Sequence, residues 1–345
     1  MEISFYRHTL LSRGGDKTVV QYANFLAERG YKVILWYNTI NTVFTLGQQI
    51  KLTKIPFPTK LGTIIHSLVK KFHSDAIIVD IIPLASLLSI RNRSRLIYFA
   101  QGFDESYHGS LIQRILIKIF CLFSLNLMKI KGIAVSPQLA HSLKEKYNAQ
   151  ITVVENGIDL LTFYPDPDEE LIGSKGNRKA VLLLSRKDHA KGLDIAVKVI
   201  NDLSDEWRDK IEIWTCGEEL KKELLKANVR NFGWVGEDRL RRILSTADVL
   251  FYPTRHEGFG LLPLEAMACG SLVVTTNVVP YVKDGENGLV ANVGNENNLK
   301  DKLERILSDQ NLKEKLKIYG LNTAKKYDLN QSKRKFEEAI KEIIS

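Results

Sequence analysis

Cysteine is scarce in this chain, which has three among its 345 residues. Cys121, Cys216 and Cys269 are widely separated and lack the paired spacing of a zinc site. Their number and spacing support neither a disulfide framework nor a cysteine-bound metal, and they fit a reducing cytoplasm. Residues 1–3 enter a strand pattern without a basic segment or a cleavage site, so we expect no export signal.

Long apolar runs are also missing. The two most apolar stretches are residues 76–90 and 111–128, and both are interrupted, whereas a membrane span needs about 20 consecutive apolar residues. The interruptions are Asp80, Pro83, Arg114 and Lys118. We therefore expect no transmembrane helix. The composition, with 44% hydrophobic and 26% charged residues, predicts a globular protein of about two domains.

Acidic residues are outnumbered by basic ones, and the formal net charge is +9. Between Lys51 and Lys131, twelve Lys and Arg residues stand against four Asp and Glu residues, so most of the excess lies in the first half. Such a charge favours anionic partners: nucleotide phosphates, acidic glycans, membrane surfaces or nucleic acid. Residues 111–128 mix basic and large apolar side chains, which is typical of a helix at a membrane interface and equally of a buried helix with snorkelling ends.

The first half of the chain alternates strand and helix patterns. A strand predicted at 3–6 is followed by a turn with Gly14 and Gly15, a helical pattern at 17–29 and a strand at 31–37. This is a βαβ unit, and its first turn lies where open α/β sheets bind ligands. Further strands are predicted at 76–80, 95–100, 132–136 and 151–154. The first half should therefore form a doubly wound α/β domain.

Turn-forming residues separate this half from a second one. Prolines, acids and glycines crowd residues 161–178, which is typical of a linker. The alternation then restarts, with strands predicted at 180–185, 211–215, 229–232, 247–252 and 271–276, and with helices from 295 onward. We predict a first domain at 1–160, a linker at 161–178, a second domain at 179–325, and a C-terminal helix at 326–345 that could pack back on the first domain.

The most informative stretch for function is residues 257–270. It follows an apolar strand pattern, and Pro263 and Gly270 mark the first turn and the end of a short helix. Gly258 and Gly260 would let a ligand approach the backbone at the start of this helix. Free amides and the helix dipole favour an anion there, so the sequence predicts a phosphate site.

Two carboxylates accompany this phosphate site. Glu257 would accept hydrogen bonds from sugar hydroxyls and Glu265, one turn inside the helix, from a ribose diol, and each such bond contributes about 1.5–3 kcal/mol. A nucleotide sugar offers these groups in that order. With both glutamates, both glycines and the run Glu-Ala-Met-Ala-Cys-Gly at 265–270, the stretch resembles the E-x7-E motif of retaining glycosyltransferases of the GT-B fold, family 4 type, also called glycosyl transferases group 1.

A pair of basic residues fits the same chemistry. Arg186 and Lys191 follow the predicted strand at 180–185, and a guanidinium with an ammonium can neutralise a departing diphosphate without a metal. The family places an Arg and a Lys at this spacing against the donor diphosphate. Gln101 stands where members often carry a His that contacts the sugar or the acceptor.

The resemblance also implies an architecture and a set of roles. It implies two facing Rossmann-like domains with a helical C-terminal tail, in which the second domain holds most of the nucleotide-sugar donor. The residues assigned to catalysis are Arg186, Lys191 and Glu257. The residues assigned to donor binding are Gly14, Gly15, Val235, Gly258, Phe259, Gly260, Leu261 and Glu265, and Gln101 is assigned to the acceptor or the sugar.

A divalent metal is another way to neutralise a diphosphate, and Asp166-Pro167-Asp168 has a metal-binding pattern. This pattern lies in the predicted linker, and its prolines favour a stiff, exposed turn instead of a site at the end of a strand. We therefore predict no metal and no cofactor beyond the nucleotide-sugar substrate.

Together these features predict a cytoplasmic, metal-independent, retaining glycosyltransferase. It would move a sugar from a nucleotide-diphosphate sugar to a glycan or lipid-linked acceptor in cell-surface polysaccharide or glycolipid synthesis, with the inner face of the cell membrane as a further partner and no nucleic acid. Two alternatives stay open: a sugar-nucleotide epimerase of related two-domain architecture, and a nucleic-acid-binding protein that uses the basic first domain. The second of these leaves Glu257 and Glu265 without a role.

Overall fold

The computed structural model describes residues 1–107 and 110–345. They form two compact units, one of Met1–Asn156 with Asn330–Ser345 and the other of Gly157–Leu329. Each unit contains a parallel sheet with helices, and the sheets have seven and six strands. The prediction of an α/β protein with two Rossmann-like halves is confirmed.

The first unit is a doubly wound sheet. Its elements up to residue 153 are β1 (Glu2–Tyr6), β2 (Thr9–Leu10), α1 (Gly14–Glu28), β3 (Lys32–Tyr37), β4 (Thr39–Ile40), β5 (Lys51–Lys54), α2 (Lys60–Val69), β6 (Ala76–Val79), α3 (Ile82–Asn92), β7 (Leu96–Ala100), α4 (Leu111–Cys121), β8 (Lys131–Ala134), α5 (Pro137–Tyr147) and β9 (Gln150–Val153). The strand order is β5-β3-β1-β6-β7-β8-β9, and β2 pairs separately with β4. The chain order reverses at β1, which pairs with β3 on one side and β6 on the other.

Burial explains which strands could be predicted. Strands β6 and β7 are fully buried and apolar because helices cover both faces of a parallel sheet. Strand β5 was missed because it lies at the edge of the sheet, and its sequence Lys-Leu-Thr-Lys is mostly exposed. Strands β2 and β4 were missed because two residues are too few to show a period.

The burial of helix α4 tests one of the two interpretations of residues 111–128, that of a buried helix. Only Ile117 and Cys121 of the helix are buried, so the interpretation as a buried helix is wrong for α4. A π-helical segment, Leu122–Leu127, continues it and buries Ser124 and Leu125. Within the ranges 1–107 and 110–345, no helix combines the length and the apolar character that a membrane crossing requires.

The second unit repeats the design. Its elements are α6 (Glu169–Lys175), β10 (Lys179–Ser185), α7 (Leu193–Asn201), β11 (Ile211–Gly217), β12 (Asn228–Asn231), α8 (Glu237–Thr246), β13 (Val249–Tyr252), α9 (Leu261–Ala268), β14 (Leu272–Thr276), β15 (Leu289–Ala291), α10 (Glu296–Ser308) and α11 (Gln310–Lys325), and α12 (Leu329–Ile344) follows. The strand order is β12-β11-β10-β13-β14-β15, with all neighbours parallel. The order reverses at β10. Strand β15 was missed because it has only three residues.

Helix α12 completes the core of the first unit. Phe336 is fully buried and stacks on Tyr22 of α1, with their ring centroids 4.2 Å apart. The Tyr22 hydroxyl lies 2.6 Å from Ser332 Oγ, and the Tyr31 hydroxyl donates to Glu337 Oε1 at 2.6 Å. The last residues of the chain are therefore an integral part of the first unit.

Candidate functional site

The candidate site is built where β10 and β13 end. These strands pair in parallel, with Val181 opposite Val249, so their carboxyl ends lie at one edge of the sheet. The loop after β10 carries Arg186 and Lys191, and the loop after β13 carries Glu257. The structure therefore brings to one edge the three residues that the sequence analysis assigned to catalysis.

A buried ion pair holds Glu257. Lys191 Nζ lies 2.6 Å from Glu257 Oε1, and the two side chains are only 11% and 7% exposed. The Tyr252 hydroxyl donates to the same oxygen, whereas the Thr254 hydroxyl donates to the Ala190 carbonyl at 2.8 Å and its Oγ1 lies 3.4 Å from Glu257 Oε1. Burial, and then the charge of Glu257, raise the pKa of Tyr252 well above its ordinary value, so the phenol keeps its proton. Donors thus converge on one carboxylate oxygen and fix its position.

The backbone ties the two loops together. The Ala190 carbonyl accepts a hydrogen bond from the Arg255 amide at 2.7 Å. Gly192 adopts the left-handed conformation, with φ 68°, and its Cα packs closely against the Pro253 carbonyl. Both contacts fix the turn that carries Lys191 against the loop that follows β13.

Arg186 pairs with an aspartate of its own loop. Its Nη2 lies 3.1 Å from Asp188 Oδ2, and Asp188 Oδ1 accepts a hydrogen bond from the Ala190 amide at 3.1 Å. Asp188 therefore neutralises Arg186 and caps the short 3-10 turn His189–Lys191. The sequence analysis missed this residue because one aspartate in a polar loop forms no distinctive pattern.

Helix α9 begins at a turn shaped by Gly260. This glycine has φ 87°, and the Tyr281 hydroxyl donates to its carbonyl oxygen. The Tyr281 ring also packs on Phe259, with the centroids 5.1 Å apart. The helix runs from Leu261 to Ala268, and Gly270, with φ 83°, follows its end. The predicted helix is confirmed, and its amino terminus follows the end of β13.

Glu265 is buried within α9. Burial raises the pKa of Tyr281 well above its ordinary value, and the charges of Glu257 and Glu265 raise it further. Tyr252 and Tyr281 were not predicted as site residues, because tyrosines in apolar surroundings have the pattern of core residues.

Val235 lies at the same edge of the sheet, in the connection between β12 and α8. The Gly217 amide donates to the Gly233 carbonyl at 2.9 Å, which joins the ends of β11 and β12. The residues predicted to bind the donor in the second unit thus lie on these connecting loops or on α9. They are Val235, Gly258, Phe259, Gly260, Leu261 and Glu265.

The predicted residues of the first unit form a second polar group. A Cβ at Gly15 would lie 3.2 Å from Gln101 Oε1, so the two residues are in close contact. Gln101 Nε2 donates to Asp80 Oδ2 at 2.8 Å. Arg7 pairs with Asp80 at 3.0 Å and with Asp16 at 2.8 Å. Arg7, Asp16 and Asp80 were missed, because they lie after β1, in the first turn of α1 and after β6, and no spacing links them.

The aspartates of the predicted linker have structural partners. Asp168 is buried, accepts a hydrogen bond from the Leu171 amide at 3.0 Å as the cap of α6, and pairs with Arg239 at 2.5 Å. This hydrogen bond, together with Arg239, lowers the pKa of Asp168. Asp166 pairs with Arg241 at 2.8 Å. The prediction of an exposed turn is therefore wrong for Asp168, because a helix and two arginines organise the segment.

Among the residues that the structure describes, no three or more His, Cys, Asp or Glu side chains are grouped in a way that could hold a metal ion.

A protein-family comparison matches the second unit. Residues 166–323 match the family described as Glycosyl transferases group 1. An uncharacterized glycosyltransferase, MJ1178, from Methanocaldococcus jannaschii is 27% identical over 203 residues, which are 57% of this chain and 55% of that protein. The lipopolysaccharide core biosynthesis mannosyltransferase LpcC from Rhizobium leguminosarum bv. viciae is 32% identical over 158 residues, 40% of this chain and 44% of that protein. The chain spans about half the length of these curated relatives.

Solved structures are similar over nearly the whole chain. WaaG, a glycosyltransferase involved in lipopolysaccharide biosynthesis, has a TM-score of 0.80 at 17% identity and covers 98% of this chain and 99% of its own. Anabaena Alr3699/HepE, solved in complex with UDP-glucose, has a TM-score of 0.75 at 16% identity and covers 99% of this chain and 100% of its own. At these identities the similarity establishes the fold.

The contact between the two loops leads to a stability prediction. Gly192 and Gly294 both have left-handed φ, but a Cβ at Gly192 would lie 2.0 Å from the Pro253 carbonyl oxygen, whereas one at Gly294 meets nothing within 4 Å. Left-handed strain alone costs about 1–2 kcal/mol. We expect Gly294→Ala to lower the free energy of unfolding by about that amount and Gly192→Ala to lower it by clearly more, as measured by urea denaturation. Equal losses in the two variants would show that the loops do not depend on this contact.

Proposed function

We propose that the chain is a retaining, metal-independent glycosyltransferase, and the match of residues 166–323 to the family described as Glycosyl transferases group 1 supports this. The donor is a nucleotide-diphosphate sugar, and the acceptor is a glycan or a lipid-linked molecule of cell-surface polysaccharide or glycolipid synthesis. The solved complex of a structural neighbour with UDP-glucose supports the donor class. The names of WaaG and LpcC support the acceptor class.

The observation that carries this proposal is the convergence of two cations, a fixed carboxylate and a helix amino terminus at the ends of β10 and β13. In the proposed mechanism Arg186 and Lys191 stabilise the diphosphate as it leaves, together with the amides at the start of α9. These groups supply positive charge at the leaving group without a divalent ion.

Glu257 has the role of orienting the transferred sugar. The hydrogen bonds from Lys191 and Tyr252 both converge on Oε1, and its second oxygen then accepts from a sugar hydroxyl. Glu265, deeper in α9, accepts from the ribose diol of the nucleotide. The carbon–oxygen bond to the diphosphate breaks as the acceptor oxygen attacks from the same face, and a donor phosphate oxygen takes the acceptor proton. Retention of the anomeric configuration follows from this same-face route.

The first test removes the cations. Arg186→Ala and Lys191→Ala should each lower turnover by about a hundredfold or more, because each deletes a preorganised charge at the leaving group. Turnover is measured as release of nucleoside diphosphate from the nucleotide sugar that the wild type uses. Activity of the wild-type protein should survive EDTA.

Lys226→Ala, an exposed lysine of the same unit, is the matched control and should leave turnover unchanged. Full activity of both cation variants would remove the clamp from the mechanism, and a strict requirement for magnesium or manganese would contradict metal independence.

The two glutamates should have separable effects. Glu265→Gln should weaken binding of the free nucleoside diphosphate, because it loses a charge-assisted bond to the ribose worth about 1.5–3 kcal/mol. Glu257→Gln should reduce sugar transfer without weakening that affinity, because the second oxygen of Glu257 accepts from the sugar and not from the nucleoside diphosphate. Calorimetry gives the affinities and the turnover assay the rates. An equal loss of nucleoside diphosphate affinity in both variants would refute the division of roles.

We also propose that the first unit binds an anionic membrane surface, where a lipid-linked acceptor would be found. The support comes from large aliphatic residues that are 40–71% exposed on α2 and α4, two helices that both pack against α3. On α2 they are Leu61, Ile64, Ile65, Leu68 and Val69, and on α4 they are Leu111, Ile112, Ile115, Leu116 and Ile119. The exposed cations Lys60, Arg114 and Lys118 lie on the same two helices. A surface of exposed apolar side chains beside cations is more stable in contact with an anionic bilayer than in contact with water.

Vesicle binding tests this location. The protein should bind phosphatidylserine-containing vesicles at low salt and not purely zwitterionic ones, because each basic residue contributes about 1 kcal/mol near an anionic leaflet. Arg114→Glu with Lys118→Glu should weaken binding about tenfold or more and leave nucleoside diphosphate affinity intact. Lys221→Glu with Lys222→Glu makes the same charge change on exposed residues of the second unit and should have a much smaller effect. If the wild type ignores anionic vesicles, the membrane proposal fails.

A further inference from the structure

Both cations of the proposed clamp have a carboxylate partner from the chain itself. Arg186 pairs with Asp188, and Lys191 pairs with Glu257. The formal charge of these four side chains sums to zero. A diphosphate that enters therefore meets two cations whose charge the chain's own carboxylates already neutralise.

The two pairs differ in how easily they can separate. Glu257 is 7% exposed, and its Oε1 also accepts from Tyr252, so leaving Lys191 would strand a buried carboxylate. Asp188 is 28% exposed and bonds Arg186 through Oδ2 alone, at 3.1 Å. Its other oxygen, Oδ1, stays on the Ala190 amide whether or not Oδ2 has a partner. Separating Asp188 from Arg186 therefore costs less free energy than separating Glu257 from Lys191.

We propose that Asp188 is a displaceable counter-ion that sets the affinity of this site for diphosphates. A diphosphate oxygen takes the place of Asp188 Oδ2 on the Arg186 guanidinium, while Asp188 Oδ1 continues to cap the turn that carries Lys191. The proposal rests on the proposed function, since it assumes that Arg186 meets the diphosphate. The proposal adds that Asp188, in the loop after β10, opposes the binding of both the donor and the nucleoside diphosphate product.

Two physical effects of the Asp188 charge act in the same direction. The carboxylate neutralises the guanidinium charge and takes its Nη2 donor, which would otherwise be available for a charge-assisted hydrogen bond to phosphate. It also repels the incoming anion from a short distance, where solvent screening is incomplete because the partner Arg186 is only 16% exposed. Removing the charge while keeping the capping oxygen should therefore strengthen diphosphate binding.

The test is calorimetric binding of inorganic pyrophosphate and of nucleoside diphosphates to Asp188→Asn in the full chain. Asparagine keeps Oδ1 as an acceptor for the Ala190 amide and removes the negative charge from the other atom. We expect binding about three- to tenfold tighter than in the wild type, equivalent to about 0.7–1.4 kcal/mol. Asp188→Ser, whose hydroxyl can also cap the turn, should shift the affinity in the same direction and replaces the asparagine variant if that variant does not fold.

Asp205→Asn is the matched control. Asp205 forms an exposed pair with Arg208 at 2.6 Å in the same unit, so this variant makes the same change in net charge away from the clamp. It should change pyrophosphate affinity less than about twofold, since exposed pairs and distant surface charges are strongly screened.

Different outcomes test the proposed function of the site and the counter-ion role of Asp188. If the wild type binds neither pyrophosphate nor any nucleoside diphosphate, the proposed function of the site fails. If the wild type binds them and folded Asp188→Asn binds equally or more weakly, the diphosphate site stands and the counter-ion role of Asp188 is overturned. A gain of the same size in Asp205→Asn would also overturn it, because the effect would then be one of net charge alone.

Discussion

The second unit depends on the neutralisation of charge where β10 and β13 end. Lys191 and Glu257 are both nearly buried, and either charge alone would carry a desolvation cost of about several kcal/mol. The 2.6 Å contact between them, with the Tyr252 hydroxyl on the same oxygen, offsets that cost. The loop after β10 and the loop after β13 must therefore keep a fixed distance from each other. The close approach of Gly192 to the Pro253 carbonyl fixes that distance.

Features with a strong local signal could be predicted from the sequence. Strand β13 is a run of buried apolar residues that Pro253 ends, and α9 has Pro263 near its start and Gly270 after its end. The boundary at Gly14 and Gly15 was predicted less well: a turn was expected there, whereas both glycines are the first residues of α1. The fold class followed from the repetition of such signals, because an alternation of buried strands and helices leaves few arrangements besides parallel sheets.

Features that depend on partners distant in the chain could not be predicted. Tyr252 and Tyr281 look like core residues until their hydroxyls are seen on Glu257 and on the Gly260 carbonyl. Asp168 looks like part of an exposed linker until Arg239 and the first turn of α6 are seen around it. Tyr22 and Ser332 are 310 residues apart in sequence, and no local pattern joins them. The spacing of residues predicts which element a segment forms. The roles of these residues depend instead on which segments contact one another in the folded chain.

The arrangement of charges also bears on turnover. A site for a diphosphate must bind the donor and then release a product that carries the same group, and uniform tightening of both gives no gain in the chemical step. The buried pair of Lys191 and Glu257 keeps its geometry throughout, because neither member can leave without stranding the other. In the proposed mechanism, the more exposed Asp188 returns to Arg186 when the diphosphate departs. Under that proposal, the Lys191–Glu257 pair holds the shape of the site, and the Arg186–Asp188 pair makes its affinity for diphosphates reversible.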